Sequence, residues 1–159
     1  MRPKIRPMSV KDKPAVMQIL QATPEFKTAE VVVAEELLDC YLEAPSTSGY
    51  YVLVAEAGSS VIGYICYGPT PLTEGTWDIY WIAVAAKEQG QGVGQTLVAS
   101  VEKKISETQG RLVFIETSSK PEYEKTRRFH QSQGYQLAGR IADFYEPGDD
   151  KLTYLKRLV

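Results

Sequence analysis

The chain has 159 residues, 43% of them hydrophobic, a formal net charge of -2 and a pI near 5.5. That is enough chain for one domain with a real core and short for two, and a balanced charge without a long basic run excludes a polyanion-binding surface. Two distant cysteines, Cys40 and Cys66, and a single histidine make no metal-binding cluster, and no stretch approaches the roughly 20 apolar residues of a membrane span.

The amino-terminal MRPKIRPMSVKDKPAV is broken by prolines and charges and lacks the apolar core of a signal peptide. A cytoplasmic protein of one domain over residues 1–159, without metal, membrane or nucleic-acid partner, is expected. Lys4 to Met8 reads as a short first strand. Asp12 followed by Pro14 reads as a helix start, because proline's missing N–H loses nothing in a first turn, and Ala15, Val16, Ile19 and Leu20 supply its apolar stripe. A second helix is predicted after Pro24 from Val32, Leu37, Leu38, Tyr41 and Leu42, with Glu35, Glu36 and Asp39 on other faces. It ends before the loop from Pro45 to Gly49. Tyr50 to Glu56 and Ser60 to Tyr67 are β-rich runs joined around Gly58, which predicts an antiparallel hairpin. Residues 68–75 are then a loop, and TWDIYWIAV, residues 76–84, is β-branched and aromatic throughout, as a central strand would be.

From Val93 the period changes. Val93, Leu97, Val98, Val101 and Ile105 recur at helical spacing until Gly110, and RLVFIET, residues 111–117, is another buried strand. Strand, tight turn, helix and strand make a βαβ unit with parallel strands and a right-handed crossover. Tyr123 to Gln133 predicts a further helix ending at Gly134, and two last strands, near Tyr135 to Ile141 and Lys151 to Leu158, flank the turn FYEPGDD.

The turn opening the βαβ helix reads EQGQGVGQT, residues 88–96. A helix amino terminus leaves its first N–H groups unpaired and favours an anion, and glycines let that anion approach the backbone. Two common nucleotide fingerprints fail here: Gln95 stands where G-x-G-x-x-G, counted from Gly90, needs its last glycine, and G-x-x-x-x-G-K-[S/T] is absent. Taken alone, the glycines also suit a sharp turn with close helix-to-strand packing.

Gln89-Gly90-Gln91-Gly92-Val93-Gly94 resembles the [Q/R]-x-x-G-x-[G/A] motif of the Gcn5-related N-acetyltransferase (GNAT) superfamily, after a strand WIAV and before an amphipathic helix as in that family. RRFHQSQGY, residues 127–135, is similar to its F-Y-x-x-x-G-[F/Y] segment. Glu116 to Ser118, Thr126 to Phe129 and Asp143 to Lys151 match the ETS, TR.F and DFY.PGDDK runs of bacterial and archaeal members of unassigned substrate.

The resemblance implies a mixed α/β fold: a central, mostly antiparallel twisted sheet of about six or seven strands, helices on both faces, and a splayed parallel pair forming the acetyl-CoA cleft. Ile82, Ala83 and Val84 would pair by their backbone with the pantetheine arm, and the N–H groups from Gln89 through Gly90, Gln91, Gly92, Val93, Gly94 and Gln95 would cradle the pyrophosphate. The implied activity is acetyl transfer from acetyl-CoA, the co-substrate, to the primary amine of a small molecule, amino acid or protein N-terminus by direct attack in a ternary complex. A domain that binds acetyl-CoA without turnover, as a sensor, is the alternative. Family members often pair as dimers, so a homodimer is a further expectation.

Such transfer needs a neutral amine, an oxyanion donor and a proton for the thiolate. An alkyl amine has a pKa near 10.4, so a base must act first. Asp78 is the first candidate base, placed where histone-acetylating members carry a glutamate but one methylene shorter; it also suits a strand start in solvent. Glu116 is a second candidate, or a partner for an arginine. The Val84 N–H would face the thioester carbonyl. Many members protonate the thiolate with the tyrosine of F-Y-x-x-x-G, and here that place is held by His130, a donor when charged or an ordinary part-buried residue. Tyr145 is the other candidate acid. Arg127 and Arg128 read as phosphate clamps or as a solvated helix face. Trp77, Tyr80 and Trp81 read as acceptor pocket or core, and Glu146, Asp149 and Asp150 as an attractor for a cationic amine or as a polar turn.

Overall fold

A computed structural model describes residues 2–159, so of the domain expected over 1–159 only the first residue lies outside the description. In chain order the elements are β1 (Lys4–Pro7), α1 (Lys13–Ala22), α2 (Thr28–Glu43), β2 (Tyr51–Ala57), β3 (Ser60–Pro69), β4 (Thr76–Val84), α3 (Val93–Glu107), β5 (Leu112–Ser118), α4 (Glu124–Ser132), β6 (Gln136–Glu146) and β7 (Asp149–Arg157). The seven strands form one sheet in the order β1-β2-β3-β4-β5-β7-β6. Only β4 and β5 run parallel; every other neighbouring pair is antiparallel.

Two apolar clusters lie on opposite faces of the sheet, as expected. Val93, Leu97, Val98, Val101 and Ile105 of α3 pack on Leu53, Ile65, Ile79, Val113 and Ile115. Val16, Ile19 and Leu20 of α1 and Ala34, Leu38 and Tyr41 of α2 pack on Val52, Val54, Tyr64 and Cys66. The period of two in each strand divides its side chains between the layers, and the period of 3.6 in each helix turns one stripe inward. In α2 the stripe falls on Ala34, Leu38 and Tyr41, so Val32, read above as part of it, stands outside at 51% exposure.

Near the amino terminus a charged knot fixes the chain's entry. Arg6 donates to both oxygens of the buried Asp12 (2.7 and 2.9 Å) and reaches Glu56 at 3.2 Å, while the Ser9 N–H donates to the same carboxylate (2.8 Å). Charge-assisted bidentate contacts of this kind are the stronger class of hydrogen bond.

Three details depart from the sequence reading. The left-handed residue after α3 is Gln109 (φ 66°) rather than Gly110. The run FYEPGDD is not one long turn: β6 continues to Glu146 and β7 starts at Asp149, leaving a tight corner at Pro147 and Gly148. In β4 the register against β3 shifts between Cys66 and Tyr67, which face Trp81 and Ile79, so Tyr80 is a bulged residue. Trp77, Ile79, Ile82 and Val84 accordingly belong to the α3 side, whereas Tyr80, Trp81 and Ala83 belong to the α1/α2 side.

Candidate active site

The parallel ladder between β4 and β5 is short. It pairs Thr76 with Leu112 through Ile79 with Ile115 and then stops. Beyond it β5 stays with β7 as far as Ser118, while β4 stays with β3 as far as Val84. The strands separate, and a cleft of about 760 Å³ opens between them. Past the bulge, the Ala85 N–H donates to Ile62 O (2.8 Å). By strand alternation the N–H of Val84 and both backbone groups of Ile82 therefore point away from β3, into the gap.

The glycine turn closes one end of this cleft. Gly90 (φ 76°) and Gly92 (φ 83°) adopt the left-handed conformation that other residues avoid, and a Cβ at either would meet nothing within 4 Å. The space above the turn is open. The first backbone bond of α3 is donated by Thr96 to Gly92 O (3.0 Å), so the N–H groups of Val93, Gly94 and Gln95 have no partner within the helix. Gly94 faces inward instead, where a Cβ would lie 3.0 Å from Phe129. Gln89 fastens the turn, donating to Val84 O (3.1 Å) and accepting from Lys125 (2.9 Å). This geometry fits a diphosphate at a helix start.

Asp78, Ile82, Ala83, Val84, Gln89, Gly90, Gly92, Val93, Gly94, Gln95, His130 and Tyr145 all line this one cleft. Gln91 does not, and its side chain donates to Lys87 O (3.3 Å). Trp77 lies across the sheet among Tyr51 and Tyr67, whereas Tyr80 and Trp81 do reach the cleft wall. Arg127 holds backbone oxygens, donating to Ser118 O and Lys120 O (both 2.8 Å), and Arg128 pairs with Glu124 on the exposed face of α4. Asp150 is occupied by Arg140 and by the Asp143 N–H, away from the cleft.

Asp78 is half-buried, and its carboxyl is pushed up to about 7 by burial and then by the charge of Glu116, with Lys151 opposing. Glu116 itself lies 3.6 Å from Lys151, not beside an arginine. Burial lowers His130 to about 4, so its imidazole is neutral at pH 7 and has no acidic proton to give. The Tyr145 phenol is pushed up to about 12 by burial and then by nearby carboxylates, and keeps its proton throughout the neutral range.

Other lining residues were not singled out from sequence. The Tyr123 hydroxyl shares its one proton between Glu30 (2.9 Å) and Glu25 O (3.0 Å), tying the segment before α4 to the start of α2 across the mouth. Lys120 and Lys27 both reach Glu146. Nothing local marks Tyr123 or Glu30, since each gains its place from a contact 93 residues away. Phe129 had a signal in the spacing of Gly94 and the RRFHQSQGY run. Among the described residues no group of three or more His, Cys, Asp or Glu gathers to hold a metal ion, and no helix is long and apolar enough to cross a membrane.

Comparison with known proteins bears on this cleft. A family model described as acetyltransferase (GNAT) family matches residues 14–135. No curated protein matches the sequence. A crystal structure of a GNAT-family acetyltransferase from Desulfovibrio desulfuricans is 39% identical, with a TM-score of 0.95 over 99% of both chains. The ribosomal-protein-alanine N-acetyltransferase of Brucella melitensis is 24% identical, with a TM-score of 0.75 over 98% of this chain and 99% of its own. The PaiA N-acetyltransferase of Thermoplasma acidophilum, solved with coenzyme A, is 16% identical, with a TM-score of 0.77 over 99% of both chains. At that identity the last two speak for the fold alone.

Proposed function

The chain belongs to the acetyltransferase (GNAT) family, whose co-substrate is acetyl-CoA, and from that premise we propose how its cleft moves an acetyl group to a primary amine. The observation that carries the reading is a carboxyl at about 7, Asp78, in the cleft where the β4–β5 ladder ends. When bound, acetyl-CoA supplies an activated acetyl thioester. The N–H groups of the turn from Gln89 to Gln95 hold its diphosphate, and the gap-facing backbone of Ile82 and Val84 holds the arm.

Asp78 acts as the base. Near neutral pH about half of it is ionised, the condition in which a carboxylate accepts a proton most effectively from an ammonium. Its length favours transfer through one water. The Val84 N–H, which turns away from β3, donates to the carbonyl oxygen as charge develops there. Tyr145 is the hydrogen-bond donor for the departing sulfur, because His130 is uncharged at the pH of the reaction.

The acceptor enters on the α1/α2 side, where Glu30, Glu116 and Asp149 line the wall. Their charge favours a cationic amine, whether of a small molecule, an amino acid or a protein N-terminus. The chain is read as one acetyltransferase domain working in a reducing compartment, in keeping with its two free cysteines, one of them exposed. Thiol release from acetyl-CoA against a panel of amines, amino acids and peptides tests this. Release with one amine class, abolished in Asp78→Asn, is the expected result; saturable coenzyme binding without release across the panel overturns it.

A further inference from the structure

Two polar atoms in the cleft are buried without a partner: the Thr117 hydroxyl and Nδ1 of His130. The residues are 6% and 2% exposed. Buried polar groups are ordinarily paired, and an orphan in a native structure calls for an explanation.

Thr117 lies past the end of the parallel ladder, and His130 lines the same cleft. Thr117 is two residues beyond Ile115, the last β5 residue paired with β4, and strand alternation puts it on the same face as Val113 and Ile115, the α3 side. His130 comes to the cleft from α4, held among the rings of Phe129, Tyr135 and Tyr154 with centroids 5.8, 6.5 and 6.3 Å away. Those rings leave its Nδ1 unpaired. The Tyr135 hydroxyl is already committed to Glu102 (2.8 Å). Packing fixes the imidazole, and nothing in the protein completes its hydrogen bonding.

A trans amide in the gap points its N–H and its C=O to opposite sides. The β4 backbone at Ile82 and Val84 serves one side. We propose that Thr117 and His130 are positioning residues on the other side, completing the hydrogen bonds of the thiol-bearing half of the coenzyme arm. Nδ1 of the neutral imidazole accepts from an amide N–H, and the Thr117 hydroxyl donates to an oxygen or sulfur of the same arm. This rests on the cofactor reading above. It assigns His130 to placing the sulfur rather than to protonating it.

Titration calorimetry with coenzyme A, and with adenosine 3′-phosphate 5′-diphosphate, the same molecule without its arm, tests the assignment. Thr117→Val keeps the shape of the side chain and removes its hydroxyl. It is expected to weaken coenzyme A about three- to tenfold, the worth of one neutral hydrogen bond, while leaving the armless nucleotide unchanged. Thr117→Ser restores the wild-type affinity, and His130→Phe behaves as Thr117→Val does. Unchanged coenzyme A affinity in both variants, or equal weakening of both ligands, overturns the proposal. Failure of the wild-type chain to bind either ligand overturns the cofactor reading itself.

Discussion

The carboxylate of Glu116 acts on that of Asp78 across the two strands of the splayed pair, raising its pKa beyond what burial alone achieves. The two residues share the α1/α2 face of the sheet, because Asp78 alternates with Trp77 and Ile79, and Glu116 with Ile115, all of which face α3. A negative neighbour disfavours ionisation, and Lys151 on β7 relieves part of the effect.

With Asp78 as base, kcat/KM climbs with pH through an apparent pKa of about 7 and loses that limb in Asp78→Asn. The same variant is expected to lose on the order of 10²- to 10⁴-fold in kcat, the usual contribution of general base catalysis, with coenzyme affinity retained. A wild-type profile flat from pH 5.5 to 8 would remove Asp78 from the role.

Glu116→Gln tests the coupling. Removing a charge that raises the Asp78 pKa lowers it, so the rising limb moves to lower pH. Lys151→Met removes the opposing charge and moves it to higher pH. Opposite displacements in the two pH–rate curves are the expected outcome; displacement in the same direction contradicts the electrostatic account.

Asp78 also bears on stability. Its folded pKa of about 7 lies above the ordinary 3.8, so the folded state binds the proton more tightly than the unfolded chain. Stability from this group is complete below about pH 4 and is lost as pH rises through about 7. Asp78→Asn is therefore expected to raise Tm at pH 8 and to change it little at pH 4. Thermal melts at the two pH values check this, and an equal shift at both would assign the gain to something other than charge.

Asp12 has the opposite sign. Hydrogen bonds from Arg6, partly offset by burial and aided by Ser9, hold its carboxyl down to about 2. Its contribution, on the order of 2 kcal/mol by linkage, is present above about pH 4 and lost as pH falls toward 2. Urea unfolding of Asp12→Asn at pH 7 is expected to show a loss of that order, shrinking at pH 2.5.

Gly92→Glu tests the turn. The left-handed φ of 83° strains any side chain there, and a carboxylate at a helix start repels phosphate. Coenzyme affinity is expected to fall by tenfold or more with unchanged circular dichroism; retained affinity would move the diphosphate elsewhere.

Strands and helices with long uninterrupted patterns were legible in the sequence: TWDIYWIAV announced a central strand and Val93 to Ile105 a helix. The glycine turn was legible as a helix start because its backbone signal is local. What depends on distant pairs was not. Tyr123 meets Glu30 only through the fold, and the neutrality of His130 follows from rings brought around it by α4 and β7. Arg127 reads from sequence as a phosphate clamp or a solvated helix face, and its bonds to the Ser118 and Lys120 backbone oxygens were not legible because they depend on how the chain turns before α4. The corner after β6 was over-read because FYEPGDD is rich in turn formers, although all of its residues but Pro147 and Gly148 lie within β6 or β7.

The bulge at Tyr80 settles a question of parity. Asp78 and Ala83 are an odd number of residues apart, so in an unbroken strand they would face opposite ways, yet both stand on the α1/α2 side. One extra residue puts the carboxylate of the first half of β4 on the α1/α2 side while the second half keeps Ile82 and Val84 in the other layer. Deleting Tyr80 would restore plain alternation and leave Asp78 on the opposite face from Ile82 and Val84. The strand would lose the local bend of the bulge, not the parity of its side chains.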